Sequence, residues 1–228
     1  MTDKVTILIP TYNRAATFLP DAIASVLSQT YRNFELMVGD NASTDDTQEV
    51  VKRFSDSRIK YVKSEKNSGT PYTFLNRGIG MAGGKWISFL DDDSRYRPRH
   101  IEKLLEKANE GYDAVYCYAL NIFIDKDFNV LKSFTRGMPF DINKFVLGTA
   151  NLNFIDTSDI FVSKKAIIDV GGFREDASYQ DYAIMVKLGI RYKVGWTEDY
   201  LTEHIIHEWT SDFSPKGDMD LERKFDIF

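Results

Sequence analysis

The sequence predicts an α/β protein with a mainly parallel β-sheet that carries helices on both faces. In residues 1–112, short apolar runs alternate with segments whose apolar residues recur at helical spacing. The loops between them are short, which implies right-handed crossovers between parallel strands. From residue 113 onward the pattern is less regular, so we expect a smaller mixed region. No repeat or linker separates the halves, and 228 residues suit one domain.

Four strands are predicted in the regular half. The first is the apolar, β-branched run at residues 5–9, which Pro10 ends. The others cover residues 34–38, 58–62 and 85–90. The last run is too short for a helix and is rich in large apolar residues, which is typical of a buried central strand.

Helices are predicted between these strands and after the last one. Leu19, Ile23 and Val26 share one face of the first helix. Cap residues at 43–47 precede the second helix, and the turn at 67–71 leads into the third. A fourth helix is expected from Pro98 to about residue 109, with His100 on its surface.

The second half mixes strands and helices. Strands are expected at 113–118, 121–124, 130–134, 154–162 and 192–196, with a hairpin turn at 125–129. Helices are expected at 139–147, at 163–170, where Gly171 follows, and at 179–188, where Gly189 acts as the stop.

Composition excludes several classes of protein. Acidic residues outnumber basic ones by 34 to 29, which argues against a nucleic-acid binder that neutralises phosphates. Cys117 is the single cysteine, so disulfides and thiolate metal sites are excluded, and its apolar neighbours predict a buried strand position. There is no signal-peptide pattern and no apolar run of about 18 residues. We therefore expect a soluble, cytoplasmic protein.

Three consecutive carboxylates, Asp91-Asp92-Asp93, follow the fourth strand. Ligands of open α/β sheets bind outside the carboxyl ends of strands, which is where this cluster lies. Adjacent carboxylates repel one another and have raised pKa values unless a cation compensates them. An oxygen-binding ion such as Mg²⁺ or Mn²⁺ is the natural partner. The alternative is a solvated acidic turn before the fourth helix.

Five motifs occur in an informative order. They are Ile7-Leu8-Ile9-Pro10-Thr11-Tyr12-Asn13-Arg14, Val38-Gly39-Asp40-Asn41-Ala42-Ser43-Thr44-Asp45-Asp46-Thr47, Asn67-Ser68-Gly69, Phe89-Leu90-Asp91-Asp92-Asp93 and Gly171-Gly172-Phe173. Together they resemble the family 2 glycosyltransferases of GT-A fold over roughly residues 4–190. The resemblance implies a Rossmann-like sheet and inverting transfer of a sugar from a nucleoside diphosphate sugar, most often a UDP-sugar, to an acceptor hydroxyl. The regular pattern at 1–112 predicts the nucleotide-sugar half, and the less regular residues 113–210 are expected to form the acceptor half. The charged tail at 211–228, which contains Pro215 and Gly217, is expected to be a mobile segment or lid, with a frayed terminus as the alternative.

The resemblance also implies roles for individual residues of the nucleotide half. The nucleotide-binding candidates are Thr11, Tyr12, Arg14, Asp40, Arg77, Asp91 and Asp92. Among them, Asp40 would accept the uracil imide N–H, and Asp91 or Asp92 would contact the ribose. Asp93 would hold the Mn²⁺ or Mg²⁺ that bridges the phosphates. The alternatives are a turn or helix cap for Asp40 and a solvated helix position for Arg77.

Asp181 matches the family's catalytic base, which takes the proton of the acceptor hydroxyl. Gln180 stands where the family has a glutamate, so the role of that glutamate is open here. The alternative for Asp181 is an acidic residue that stabilises a helix N-terminus. His207 resembles a late histidine that serves some members as a metal ligand or phosphate contact; a structural role is the alternative, more strongly so for His204.

Two other functions compete with this interpretation. A sugar nucleotidyltransferase should have a glycine-rich basic loop after its first strand, which this chain lacks. A non-catalytic nucleotide- or glycan-binding module is favoured by Gln180 alone. The partners expected are a nucleotide-sugar donor and a glycan or glycoconjugate acceptor, with no nucleic acid and with room for peripheral membrane contact. Pocket shape, which the sequence does not reveal, selects the donor sugar.

Overall fold

The computed structural model describes residues 3–139, 155–176 and 180–207. Strands and helices alternate along the first half of this part of the chain. The strands are β1 (Val5–Thr11), β2 (Phe34–Asp40), β3 (Ile59–Lys63), β4 (Trp86–Phe89), β5 (Ser94–Tyr96), β6 (Ala114–Ile124), β7 (Val130–Arg136), β8 (Ile160–Ser163) and β9 (Val194–His207). The helices are α1 (Leu19–Leu27), α2 (Thr47–Arg53), α3 (Tyr72–Met81), α4 (His100–Ala108), α5 (Lys164–Asp169) and α6 (Gln180–Arg191), and a 3₁₀ turn, Thr157–Asp159, precedes β8.

The strands form one mixed sheet in the order β3-β2-β1-β4-β8-β6-β9-β5, with β7 paired to β6 outside this path. β1 is parallel to both β2 and β4, and β3 is parallel to β2. β8 is antiparallel to both of its neighbours, β4 and β6, and marks the start of the mixed region. The predicted fold class is therefore confirmed: a parallel half continues into a smaller mixed half.

The core consists of two apolar layers, one on each face of the sheet. Successive side chains of a strand point to opposite faces, so Leu8 belongs to the same buried cluster as Leu75 of α3, whereas Ile7 and Ile9 cluster with Ile23 of α1. α5 and α6 contribute to the first layer and α4 to the second. Helices thus cover both faces, as predicted.

Several boundaries in the second half differ from the prediction. The runs at 113–118 and 121–124 are one continuous strand, β6, and the last strand extends to His207. The segment predicted as a strand at 154–162 contains the 3₁₀ turn followed by β8, and β5 was not predicted. Gly189 does not end α6, which continues to Arg191. The helix expected at 139–147, apart from Pro139, and the tail at 211–228 lie outside the described residues.

His100 is buried, which corrects the expected surface position. Its side chain has no solvent exposure, its ring stacks on Tyr96 with 3.5 Å between centroids, and Nδ1 lies 3.2 Å from the carbonyl oxygen of Leu201. Burial lowers the pKa of His100 to about 3, because a charged imidazole is disfavoured without water. His100 is therefore a neutral core residue that joins α4 to β5 and β9.

Glu35 of β2 carries a buried ionic cluster at the amino-terminal side of the sheet. Its carboxylate accepts hydrogen bonds from Lys4 Nζ (2.9 Å), Lys60 Nζ (2.8 Å), Thr6 Oγ1 (2.8 Å) and Gly83 N (2.6 Å). Burial alone would raise its pKa, but the hydrogen bonds outweigh burial and lower the pKa from 4.5 to about 2. Because the pKa of Glu35 is lower in the folded protein than in the unfolded chain, its ionised carboxylate stabilises the folded state at pH values above the pKa of the unfolded chain. This stabilisation is lost as the pH falls toward the pKa of Glu35 in the folded protein.

We expect Glu35→Gln to lower the free energy of unfolding by about 3 kcal/mol at pH 7 and by less than half of that at about pH 3. The neutral amide cannot hold both ammonium groups, and at low pH the unfolded parent binds the proton that the folded parent does not. Urea unfolding at both pH values measures the difference. Glu49→Gln, at an exposed carboxylate paired with Lys52, is the control. A loss of stability of equal size at both pH values would contradict the proposed dependence of stability on the ionisation of Glu35.

Candidate nucleotide and catalytic site

The loops that follow β1, β2 and β4 meet at one edge of the sheet. Thr11 and Asp40 are paired in register at the ends of β1 and β2. Beyond β4, the amide of Leu90 donates to the carbonyl oxygen of Leu8 (3.0 Å), which carries the parallel arrangement to the start of the acidic cluster. Parallel strands present their carboxyl ends at the same edge, so the predicted nucleotide-binding residues of these three loops come together.

The loops after β1 and β2 are bound to each other by side chains. The amide of Asn13 donates to Ser43 Oγ (3.0 Å), and Asn13 Oδ1 accepts from the amide of Thr44 (2.8 Å). Asp45 Oδ2 accepts from the amide of Ala15 (3.0 Å). Asn13 has a φ of +54°, a left-handed conformation that asparagine tolerates better than most residues. This conformation lets one side chain join both loops into a single platform.

Asp40 is buried in this platform, with 1% of its surface exposed. Its Oδ1 accepts from the amide of Ser43 (2.6 Å), its Oδ2 accepts from the hydroxyl of Tyr61, and Lys63 Nζ lies 3.6 Å from Oδ2. Burial and the hydrogen bond to Asp40 raise the pKa of Tyr61. The bond from the Ser43 amide is the turn-forming contact expected if Asp40 has a structural role. Each carboxylate oxygen has a further lone pair, and base reading stays a prediction.

Asp91 is held by residues that the sequence did not single out. Its amide donates to Ser158 Oγ (3.0 Å), and the Ser158 hydroxyl donates to Asp91 Oδ2 (2.8 Å). Burial, the adjacent Asp156 carboxylate and Asp93 raise the pKa of Asp91 well above its usual range. Burial also acts on Asp156, but His204 and Arg136 outweigh it and lower that pKa to about 2. The pKa values of the two neighbours thus move in opposite directions, upward for Asp91 and downward for Asp156.

Asp92 faces the loop after β1. Its Oδ1 lies 3.9 Å from Arg14 Nε. Burial and then the Asp93 carboxylate raise the pKa of Asp92 to about 6, while Thr11, Arg14 and the amide of Tyr12 act in the opposite direction. The structure thus places the predicted residues Thr11, Tyr12 and Arg14 around Asp92, with the Tyr12 ring 44% exposed.

Asp93 and His207 come together, although 114 positions separate them in the chain. His207 Nε2 lies 3.7 Å from Asp93 Oδ2, and the buried imidazole stacks on Phe18 with 4.9 Å between centroids. Two atoms that each lie about 2.1 Å from one ion are at most about 4.2 Å apart, so both side chains fit a common divalent cation. The described residues contain no group of three His, Cys, Asp or Glu side chains arranged for a metal. Phosphate oxygens and water molecules can complete such a site, as they commonly do for Mg²⁺.

His204 does not face this pair. Its Nδ1 lies 3.1 Å from Ser94 Oγ and its Nε2 lies 2.9 Å from Asp159 Oδ1. Both ring nitrogens are therefore occupied by protein partners, which accords with the structural role expected for His204.

Asp181 lies in the first turn of α6, where it is partly buried. Burial, followed by the negative charge of Asp156, raises the pKa of Asp181 to about 7. A carboxylate with a pKa near neutrality is suited to accept a proton from a substrate hydroxyl. Asp156 therefore acts electrostatically on both Asp91 and Asp181, which relates the acidic cluster to the predicted base.

Gln180 is fully buried, and its Oε1 accepts from the amide of Arg174 (2.6 Å). Arg174 directly follows Gly171-Gly172-Phe173, so the glutamine fastens this loop to the start of α6. A glutamate here would place another carboxylate beside Asp181. The contact gives Gln180 a structural role, and the role of the family's glutamate stays open here.

Asn76 of α3 anchors the same loop from the other side. Its Oδ1 accepts from the amide of Phe173 (2.9 Å) and its Nδ2 donates to the carbonyl oxygen of Phe173 (2.8 Å). Gly172 has a φ of +64°, and a Cβ there would lie 2.6 Å from Asn76 Oδ1. Sequence reasoning missed Asn76, for which a poor helix former inside a helix was the available signal. Arg77 is exposed, and within the described residues no hydrogen bond or ion pair joins it to the acidic cluster, so its role stays a prediction.

Within residues 3–139, 155–176 and 180–207, no helix has the length and apolarity needed to cross a bilayer.

The fold places the chain in the GT-A class. Staphylococcus aureus TarS, residues 1–349, in complex with UDP-GlcNAc superimposes with a TM-score of 0.74 at 18% identity, covering 92% of this chain and 62% of that one. The mannosyltransferase PcManGT from Pyrobaculum calidifontis, in complex with GDP-Man and Mn²⁺, gives 0.66 at 19% identity, covering 90% and 57%.

The chain belongs to glycosyl transferase family 2, whose sequence model matches residues 6–171. It is 32% identical over 192 residues to the GalNAc(5)-diNAcBac-PP-undecaprenol beta-1,3-glucosyltransferase of Campylobacter jejuni, covering 81% of this chain and 59% of that protein. It is 33% identical over 141 residues to the UDP-Glc:alpha-D-GlcNAc-diphosphoundecaprenol beta-1,3-glucosyltransferase WfaP of Escherichia coli, covering 62% and 54%. The chain thus matches little more than half the length of these relatives.

Proposed function

We propose that this chain is the catalytic domain of an inverting glycosyltransferase that moves a sugar from a UDP-sugar to an acceptor hydroxyl. The observation that carries the proposal is the acidic loop at the carboxyl edge of the parallel strands, where Asp93 Oδ2 lies 3.7 Å from His207 Nε2 and Asp92 Oδ1 lies 3.9 Å from Arg14 Nε. In addition to burial, the charge of Asp156 raises the pKa of both Asp91 in this loop and the base candidate Asp181, which relates the two.

The donor is assigned to the carboxyl edge of β1, β2 and β4. Tyr12 offers an exposed ring for stacking on the base, and Asp40 supplies a carboxylate acceptor for the imide N–H of uracil. WfaP, by its name, uses UDP-glucose, and the TarS complex holds UDP-GlcNAc. We therefore assign a UDP-sugar, with glucose as the first sugar to test.

Asp93 and His207 would hold Mn²⁺ or Mg²⁺. When bound, the cation supplies positive charge that stabilises the negative charge left on the diphosphate. Arg14, which lies beside Asp92, is a further positive group on the same side of the cluster.

Asp181 is assigned as the base. The acceptor oxygen forms a bond to the anomeric carbon while the bond from that carbon to the diphosphate oxygen breaks, and its electron pair leaves with UDP. The hydroxyl proton passes to Asp181. A single displacement of this kind inverts the anomeric configuration and needs one carboxylate opposite the leaving group.

The acceptor is assigned from the relatives. The names of the Campylobacter and Escherichia enzymes both specify transfer to sugars carried on undecaprenol diphosphate. We assign a lipid-linked saccharide of this kind, which places the protein in the cytoplasm at the membrane surface and in polysaccharide or glycoconjugate synthesis.

A thermal-shift screen of UDP, GDP and dTDP with and without Mn²⁺ tests the donor assignment. UDP with Mn²⁺, at about 100 times its Kd, should raise the melting temperature by roughly 5–10 °C, because selective binding stabilises the folded state. A shift with GDP and none with UDP would overturn the assignment of uracil as the nucleobase of the donor.

Release of UDP from UDP-glucose by the purified protein then separates an enzyme from a binding module. A protein that binds UDP and Mn²⁺ but releases no UDP from any of a panel of UDP-sugars, with lipid-linked acceptor present, would contradict the catalytic assignment.

A further inference from the structure

The 3₁₀ turn Thr157–Asp159 holds both ends of the acidic loop at residues 91–94. At the first end, Ser158 bonds both the amide and the carboxylate of Asp91. At the second end, Asp159 reaches Ser94 through the imidazole of His204. Asp93, the assigned cation ligand, lies between these two attachments.

His204 is the link at the second end. It lies on β9 directly opposite Ser94 of β5 in the antiparallel register. The residue is 7% exposed, Ser94 is 2% exposed and Asp159 is fully buried. A buried bond of this kind is strong and directional because water does not compete for it. Ser94, and with it the peptide that follows Asp93, is therefore held in one place.

Asp159 is itself fixed by two further donors. Its Oδ2 accepts from Arg136 Nη2 (3.0 Å) and from the amide of Asp156 (2.9 Å). Desolvating a carboxylate and a guanidinium is unfavourable, so a buried ion pair adds little net stability compared with an apolar replacement. In this protein the pair joins β7 to the turn, and the bonds of His204 to Asp159 and Ser94 extend the connection to β9 and β5.

We propose that His204 and Asp159 are positioning residues that orient Asp93 toward the cation and the diphosphate, without touching either. The proposal rests on the proposed function, since it assumes that Asp93 and His207 bind the cation. Groups that orient metal ligands typically change metal affinity by about 10- to 100-fold when they are removed.

Two variants, His204→Gln and Ser94→Ala, each remove the contact between His204 and Ser94. The amide nitrogen of glutamine overlaps Nε2 of histidine, so His204→Gln keeps a donor for Asp159 and loses the contact with Ser94. Ser94→Ala breaks the same contact from the other side. His100→Gln is the matched control, because His100 is an equally buried histidine that packs on β5 through Tyr96 but has no bond to the acidic loop.

Calorimetric titration with UDP, in Mn²⁺ and in EDTA, is the measurement, together with the melting temperature of each variant. We expect both test variants to bind UDP about 10- to 100-fold more weakly in Mn²⁺, with unchanged affinity in EDTA, while His100→Gln binds like the parent. Parent-like affinity in Mn²⁺ for either folded test variant would overturn the positioning role, as would an equal loss in His100→Gln. A parent protein that binds UDP equally well in Mn²⁺ and in EDTA would overturn the cation site of the proposed function, on which this inference rests.

Discussion

Asp181→Asn is expected to lower the rate of sugar transfer by about 10²- to 10⁴-fold, the usual range for a lost general base. The amide keeps the size of the side chain and cannot accept the proton. UDP affinity should not change. Burial and Asp156 already disfavour a charge at this position, so the melting temperature should stay the same or rise. Turnover and melting temperature are measured on one preparation, with Asp169→Asn, an exposed helix carboxylate, as the control.

The parent enzyme should show the matching pH dependence. Asp181 accepts a proton in its ionised form, and its pKa of about 7 means that activity rises with pH up to about 7 and then levels off. A structural Asp181 would instead reveal itself through a loss of about 1 kcal/mol of stability, typical of a helix N-terminal charge, with turnover per folded molecule retained. Unchanged turnover in well-folded Asp181→Asn would rule out the base assignment.

Asp93→Ala is expected to abolish the enhancement of UDP binding by Mn²⁺. Loss of a direct ligand should exceed the effect of losing an orienting group, so we expect a decrease of at least about 100-fold in affinity in Mn²⁺. The neighbouring carboxylates do not replace it, because Asp91 is bonded to Ser158 and Asp92 faces Arg14. Calorimetry with and without EDTA measures the effect, and Asp127→Ala, in the exposed hairpin turn, is the control.

The alternative outcome for Asp93 is equally specific. A variant that binds UDP in Mn²⁺ as tightly as the parent would show that the cation is held elsewhere. Retained affinity combined with a lower melting temperature would assign Asp93 to the structural acidic turn that the sequence also allowed.

Local pattern was sufficient for the parallel half of the fold. The strands there are short apolar runs, and the helices carry apolar residues at a spacing of about 3.6 that can be counted along the chain. The alternation of these elements determined where the strand ends meet, and hence that Asp40 and residues 91–93 share one edge of the sheet. The same reasoning placed a helix at 163–170 before Gly171, and in the structure Ser163 is the N-cap of this helix, α5.

The mixed half was decided by contacts between distant segments. β5 has three residues and exists because it pairs with β9, more than 100 positions away. His100 is buried because β9 covers it, and no local pattern distinguishes it from a surface histidine. Such contacts leave no periodic signal.

The roles of the site residues divide in the same way. Sequence determined that a carboxylate cluster follows β4 and that Asp181 begins a helix. The resemblance favoured His207 over His204 as a metal-site residue. The tertiary structure supplied the contact between His207 and Asp93, and it alone showed that Asp156 acts on both Asp91 and Asp181. The physical reason is that charge interactions and hydrogen bonds depend on distance in space, which the chain sets through packing of the whole sheet.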